Sequence, residues 1–571
     1  MHYILQKTTI LLILGCTMLS AKAQDNQNAL SNVKEKVYVS VNNQTLLAGE
    51  NLRYNFFNLN TKDQTFSTIS KIGYVELVNT DGEVLKKQAI DLEHSVGSGS
   101  IYIPTNTPSG NYKLLGYTRW MLNKPVSELF QTDIFIINPF QTPKQELVSG
   151  TAQDSVRLNE TQLKPITSTY LQVNFSKDKF KPREEVKLNL EAFKNMQVSI
   201  SVKKVDGLSL TKSISPKDFS NAENTQNSSN AGKSILPEIR GQLISGHISG
   251  PKVAEKKVAL SIPGGESSQT KLVNTDKQGK FYFNLDQYPT HTTTYIEVFA
   301  EDRQAYTISL DSIEIKYKNL EFRKPTLLHS SMQETIEARS VALQIQNAYF
   351  EYKKDSILSN LPTQPFYEPF KKAYNLDEYK RFSTLAETLI EIPNELYARK
   401  QDGKYNIYLR DRDNFTTTEV YGSSLVLFNG AVVQNTNRLF ELPASNIKKI
   451  EFVNKGYVFG PRIFSGVVNF VNKDFNYELE VNKKYRIKTN LNRPAPKKVL
   501  NQPNYATANN LNKIPDYRYE LYWEPTVQLP NESRDFMFFT ADVNGTFKVS
   551  IEGFTENGQP ILVEKYFEVK N

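Results

Sequence analysis

EKVYVSVNNQTLLAGENLRYNFF, residues 35–57, is the stretch on which the fold class turns. EKVYVSV alternates, as a strand with one face on a core and one towards water must. A glycine at 49 then turns the chain into a second apolar strand. KIGYVELVNTDGEVLKKQAI (71–90) reads as a hairpin about Asp81-Gly82. GSGSIYIPTNTPSGNYKLLGYTRWM (97–121) adds two more strands around a Pro-Ser-Gly turn. Short strands at roughly ten-residue spacing predict an antiparallel sandwich over 33–140.

The rest of the composition agrees. The chain has 571 residues, 39% of them apolar, with 30 Tyr and 32 Phe. A single core stops growing at roughly 250–300 residues, so several domains are expected. The bias towards aromatic and β-branched residues favours strands. The formal charge of +8 is spread along the chain and densest near Lys483, Lys484, Arg486 and Lys488. Export and the interspersed acids point to a solvated surface rather than a nucleic-acid or anionic-lipid face.

Residues 1–23 have the grammar of a signal peptide: a basic start, the apolar TTILLILGCTML, and a small-x-small site before Gln24. The apolar run is shorter than the roughly 20 residues of a transmembrane helix, and no later stretch reaches that length. ILGC resembles a lipobox with Cys16 as the lipidated residue, but the apolar run passes Cys16 and favours ordinary cleavage. The expected location is exported, in the periplasm or associated with the outer membrane. Cys16 is the only cysteine, so the mature chain is expected to lack disulfides, thiolates and cysteine metal sites.

Residues 33–140 resemble the first macroglobulin-type domain of the alpha-macroglobulin family, in versions from exported Gram-negative proteins. Gly49, Pro108, Gly110, Tyr112, Tyr117, Thr118, Trp120 and Met121 carry the likeness, and Trp120 is expected in the core. YLQVNFSKDKFKPREEVKLNLEA begins a second macroglobulin-like segment over 165–210, followed by a polar loop at 211–236. LPEIRGQLISGHISG and LVNTDKQGKFYFNL resemble a carboxypeptidase-type regulatory sandwich over 237–325, a module without peptidase machinery. A helical connector is expected over 330–400, with Ile336, Val341, Ile345 and Ala348 as the apolar face of its first helix. NLDEYKRFSTLAETLIEI suits a second helix. A basic, polar linker over 477–514 leads to a C-terminal sandwich segment at 515–571, where Trp523, Pro525, Asp542, Gly545 and Gly553 match the tail of the same exported proteins.

Residues 401–476 resemble the plug of TonB-dependent receptors. The order is a strand ending at Asn429-Gly430, a Leu-Pro step at 442–443, IKKIEFV, a glycine-containing loop and SGVVNF. A receptor barrel needs 22 strands of about ten residues, more than follow Lys473. The expected architecture is therefore mainly β: several Ig-like or macroglobulin-type antiparallel sandwiches in series plus a small α+β plug-like domain without a barrel.

Chemistry is sparse in this pattern. The family's thioester needs a cysteine that the mature chain lacks. His94, His247, His291 and His329 are far apart and form no HExxH-type pair. DRDNF at 411–415 lacks the glycine and distal glutamate of a Ca²⁺ loop. No GxSxG occurs, and Glu184-Glu185 would point to opposite faces of a strand. No catalytic, cofactor-binding or metal-ligating residue is assigned, and no cofactor is expected. The leading expectation is a non-enzymatic envelope scaffold that docks to an outer-membrane β-barrel or a transport or assembly complex, with no nucleic acid and no integral membrane segment. Tyr457, Phe459, Pro461 and Phe464 are its candidate partner contacts, as exposed loop residues. The alternatives are a protease-trapping relative using 215–234 as bait, and, last, an envelope hydrolase with no recognisable motif.

Overall fold

The computed structural model describes residues 34–143, 147, 163–208, 211, 213–222, 235–264, 267–288, 291–313, 315–322, 327–358, 364–368, 371–410, 421–474, 483–506 and 513–571. The expected signal with Cys16, half of the polar loop at 211–236, and DRDNF lie outside them. The protein is mainly β, built from antiparallel sheets. It divides into two compact units. The first joins Met1–Ile239, Ile315–Leu358 and Ala495–Asn571; the second joins Arg240–Glu314 and Ser359–Pro494. Among the described residues no helix is long and apolar enough to cross a membrane.

Two sandwiches make up the first unit. In one, Glu35–Val41, Asn51–Asn60 and Val96–Tyr102 form a three-stranded sheet, with the middle strand central. Its partner sheet runs Thr45–Leu47, Phe130–Ile137, Gly110–Thr118, Ile72–Asn79, Val84–Asp91. Val37, Tyr54, Phe56, Leu77, Leu114 and Ile134 fill the space between. Trp120 is only half-buried; it starts a single helical turn, Arg119–Asn123, and Met121 takes the core position instead. The buried Glu35 carboxylate accepts from Asn58 Nδ2 (2.8 Å), Ser67 Oγ (2.7 Å), Ser70 Oγ (2.6 Å) and Thr118 Oγ1 (2.6 Å), tying three parts of the sandwich to one anion.

The other sandwich corrects the division of the sequence. Segments 165–210 and 515–571 do not make separate bodies. Met196–Lys204 is flanked by Glu520–Leu529 on one side and Gly545–Thr555 on the other, and Glu185–Ala192 lies between Leu171–Phe175 and Ser533–Phe539. Each half alternates cleanly, with Val186, Leu188 and Leu190 in one and Val549, Ile551 and Phe547 in the other. Each half gives strands to both sheets, and neither alone completes either sheet. The strands come so close that a Cβ on Gly553 would meet the Gln197 carbonyl oxygen at 2.1 Å, which restricts that position to glycine. Arg183 locks the two halves from outside: Nε donates to Asp542 Oδ1 at 2.6 Å and Nη2 to Oδ2 at 2.7 Å.

Other expectations shift for similar reasons. Within 211–236, Pro216–Asn221 is a helix with a Ser215/Asp218 capping box, and Phe219 is buried against Tyr38 and Phe554. The first connector helix, Gln333–Ala348, does not bury the apolar set: Val341 is 54% exposed. It buries Arg339 beside Ser340 and Ala342, and the Arg339 Nε and Nη2 donate to Glu50 Oε1 (2.8 Å) and Oε2 (2.7 Å), Nη1 to Asp206 Oδ2 (2.9 Å) and Nη2 to the Thr45 carbonyl (3.1 Å). Burial alone would lower the guanidinium's pKa, but the two carboxylates outweigh it and raise it. The second helix is short, Leu385–Glu391, with Thr384 and Glu387 as its capping box.

In the second unit, Lys280–Leu285, Gln242–Ser249 and Thr307–Leu310 face a sheet ordered Gln269–Asn274, Lys257–Ile262, Thr293–Val298, Arg486–Asn490. Its last strand lies inside the stretch 477–514 that reads as a linker. Tyr485 and Leu491 are buried and Ile487 packs beside them, while Arg486 stacks over Tyr295 at 4.5 Å, so the basic run is one face of a strand. A mixed sheet completes the unit: Lys372–Asn375, Ile447–Val453, Val467–Asn472, Leu425–Phe428, Ala431–Val432.

The helix seat gives a direct test. Arg339→Met leaves the half-buried Glu50 and Asp206 without their partner, and is expected to cost about 3–5 kcal/mol. Val341→Ser, the apolar residue on the same helix, should change stability by less than about 0.5 kcal/mol. Urea unfolding of the two variants measures both.

Candidate functional site

The mixed sheet of the second unit is built around a two-residue turn. Asn429 and Gly430 both take positive φ (50° and 84°), the backbone of a type I′ hairpin, and join Leu425–Phe428 to Ala431–Val432. The turn is pinned on both sides. Asn429 Nδ2 donates to Asn472 Oδ1 and Asn472 N donates back to Asn429 Oδ1, each at 2.9 Å. Asn469 Oδ1 accepts from Gly430 N at 2.9 Å, and the Gly430 carbonyl accepts from Thr270 Oγ1 at 2.5 Å. Val432 N donates to Ser261 Oγ at 3.1 Å, and Gln434 Nε2 reaches the Val298 carbonyl at 2.9 Å. These bonds seat the sheet on the neighbouring sandwich of the same unit.

Behind the turn lies a buried polar group. Glu451 accepts from Tyr367 Oη at 2.8 Å and pairs with Lys449 at 2.5 Å, while Asn469 Nδ2 donates to Tyr367 Oη at 2.8 Å. Burial pushes the Glu451 carboxyl up, but Lys449, Tyr367 and Lys371 outweigh it and hold it below the usual carboxylate value. Burial and then the Glu451 charge push the Tyr367 phenol well above its ordinary value. Tyr367 therefore stays a donor at physiological pH and the network is a structural one.

The four candidate contacts lie on the hairpin formed by Tyr457–Phe459 and Arg462–Phe464. The expectation that all four are exposed does not survive. Phe464 is buried against Phe299, edge to face at 5.9 Å. Phe459 is buried and stacks on Phe366 at 4.3 Å, and Tyr457 is half-buried with its hydroxyl donating to the Phe366 carbonyl at 2.6 Å. Only Pro461 is exposed. The reason is the period of two: 457, 459 and 464 share the inner face of the ribbon. Sequence reading missed the outward pair, Val458 and Ile463, which sit directly opposite each other and are 69% and 43% exposed. The alternation was there to be read once the Gly460-Pro461 turn was treated as a hairpin.

Gly460 fixes the hairpin's position. Its φ is +56°, and a Cβ there would lie 2.2 Å from the Leu272 carbonyl oxygen. The guanidinium of Arg462 lies 4.7 Å from the Phe464 ring centre, covering the same side. The ribbon thus has one face fastened to its own unit and one carrying two exposed apolar side chains.

Among the described residues no group of three or more His, Cys, Asp or Glu is placed to hold a metal ion. His94, His247 and His291 are exposed on separate segments, and His329 is half-buried.

No family model matches the chain, and no curated protein matches it. Among solved structures it is similar to a Salmonella alpha-2-macroglobulin mutant, with 9% identity over 95% of this chain and 40% of that one, at a TM-score of 0.24. Escherichia coli alpha-2-macroglobulin activated by porcine elastase gives 9% identity over 94% and 44%, at a TM-score of 0.23. A Listeria innocua beta-glucosidase in complex with glucose gives 10% identity over 18% and 16%, at 0.14. The chain thus spans about 40% of the length of the macroglobulin structures that it matches.

Gly460→Ala is expected to destabilise the second unit by more than about 2 kcal/mol, and Phe464→Ala by about 3–5 kcal/mol. Val458→Ser and Ile463→Ser should each stay within about 0.5 kcal/mol. Thermal unfolding of the four variants separates the inner face from the outer.

Proposed function

We propose that the chain is a non-enzymatic binding protein of the bacterial cell envelope, docking to an outer-membrane β-barrel or a transport or assembly complex through its plug-like sheet. The observation that carries this reading is the outward pair of the 457–464 hairpin. Val458 and Ile463 are large, β-branched, adjacent and exposed, on a ribbon held rigid by Phe459, Gly460 and Phe464 beneath. Exposed apolar side chains on a fixed support make an interface inexpensive in entropy, because nothing has to order on binding. The contacts proposed are therefore Val458, Ile463 and Pro461, with Tyr457, Phe459 and Phe464 as their support.

The resemblance of 401–476 to a receptor plug supplies the partner class. The sandwiches would act as the carrier of this surface, exported by the signal-like residues 1–23. In the protease-trapping alternative the exposed bait would be 215–234; residues 216–221 of it are tied down by the Ser215 cap and by Phe219 in the core, which favours docking.

The test is affinity capture of the tagged chain from membranes in mild detergent, beside a Val458→Asp/Ile463→Asp variant. An outer-membrane protein recovered with the wild type and reduced at least about tenfold with the variant is expected, since two charges at the centre of an apolar contact forbid its burial. Equal recovery by both proteins, or recovery of no outer-membrane protein, contradicts the proposal.

A further inference from the structure

A cleft of about 680 Å³ opens in the first unit. It lies among the end of Met196–Lys204, the helix Gln333–Ala348 and the stretches 498–505 and 517–523. Its volume falls in the range of sites that enclose a ligand rather than a single ion.

The charges in its walls are unbalanced. Three of its carboxylates are already held by arginines: Glu50 and Asp206 by Arg339, and Glu520 by Arg53. A fourth, Asp355, accepts from the Asn501 backbone N–H at 3.1 Å. Four lysines have no such counterpart. Lys203 Nζ donates to the Asn42 carbonyl at 2.9 Å, and Lys353 Nζ to Gln346 Oε1 at 2.7 Å and the Pro515 carbonyl at 2.8 Å. Lys204 Nζ lies over the Tyr519 ring at 4.8 Å, and Lys498 Nζ reaches Ser100 Oγ at 3.4 Å. Among the described residues no carboxylate forms an ion pair with any of the four. Burial and the neighbouring Lys548 lower Lys203 to about 8, and burial lowers Lys204 and Lys353 as well. Asp206 and Glu520 offset this in part for Lys203, Asp206 for Lys204, and Asp516 and Asp542 for Lys353, but none of these acids stands at ion-pair distance, and Lys498 is exposed.

Two further features narrow the ligand. Tyr102, Phe350, Ile357 and Tyr517 line the cleft and are all exposed, so it has apolar as well as cationic surface. Asn43, Asn347, Asn501 and Gln502 also line it, and side-chain carboxamides have the paired donor and acceptor that a peptide backbone presents. A free phosphate would use only the lysines. An anionic lipid would use the lysines and the apolar surface but not the carboxamides.

We infer that this cleft binds an acidic peptide segment, with its carboxylates on Lys203, Lys204, Lys353 and Lys498 and its apolar side chains against Tyr102, Phe350 and Tyr517. The segment belongs to a partner protein, and the site is independent of the plug-like hairpin, since every residue in it belongs to the first unit.

Two pools of random octapeptides test this on the full chain. One is built from Asp, Glu, Phe, Leu, Tyr and Gly; in the other Lys and Arg replace the acids. Retention of the acidic pool is expected to exceed that of the basic pool by at least about tenfold at low salt, and to fall as salt rises. Lys204→Glu/Lys498→Glu should abolish the preference. Phe350→Ser/Tyr102→Ser, which leaves the charge intact, should weaken retention of the acidic pool at least about fivefold. Circular dichroism and thermal midpoints matching wild type establish that both variants are folded. Equal retention of the two pools, retention unchanged in either folded variant, or complete displacement by inorganic phosphate or phosphatidylglycerol vesicles overturns the inference.

Discussion

The pairing of Met196–Lys204 with strands near the end of the chain is the constraint on which the rest depends. That strand is bordered by Glu520–Leu529 on one side and Gly545–Thr555 on the other. Residues joined by its outer clamp, Arg183 and Asp542, are 359 positions apart in sequence. Between Lys204 and Tyr519 the chain leaves the sandwich and returns to it, and Lys204 N donates to the Tyr519 carbonyl at 2.7 Å where the excursion closes. Closing so long a loop costs little more than closing a short one, because the entropy grows only with the logarithm of length. The cost is met by completing a core that neither half can form.

Within that frame, position is set by buried charge as much as by apolar packing. Arg339 seats its helix on Glu50 and Asp206, from two different parts of the first unit. Glu35 gathers four side-chain donors in the first sandwich, and Glu451 anchors the mixed sheet of the second unit through Tyr367 and Lys449. Such groups add little net stability over an apolar replacement, but they penalise any arrangement that leaves one of them unpaired. They also explain the cleft: its carboxylates are committed to arginines, and the lysines beside them are left as the available charge. The two surfaces proposed for binding thus arise from different physics, apolar side chains raised on a rigid ribbon in one unit and uncompensated cations in the other.

Local structure was legible in the sequence, and long-range partnership was not. Alternation gave the strand of 35–41, and Asn429-Gly430 marked the end of its strand. Nothing local in 171–204 says that the strands missing from its two sheets lie beyond residue 519, since an alternating strand pairs with any free edge. The strand Arg486–Asn490 was hidden because its outward side is basic and drew attention from Tyr485, Ile487 and Leu491 between. Arg339 escaped notice because a buried arginine depends on acids brought in from Glu50 and Asp206. The hairpin was the reverse case: Tyr457, Phe459 and Phe464 were conspicuous as aromatics, and their size is the reason they are turned inward, leaving Val458 and Ile463 outside.

Hydrogen exchange of a chain ending at residue 514 tests the central claim, that one sandwich is shared by the two ends of the first unit. If it is, the amides of Met196–Lys204 lose both their flanking strands and exchange at least about 100-fold faster than in the full chain, while those of Ile447–Val453 in the second unit keep their protection. Unchanged protection of Met196–Lys204 in the shortened chain would contradict the shared sandwich.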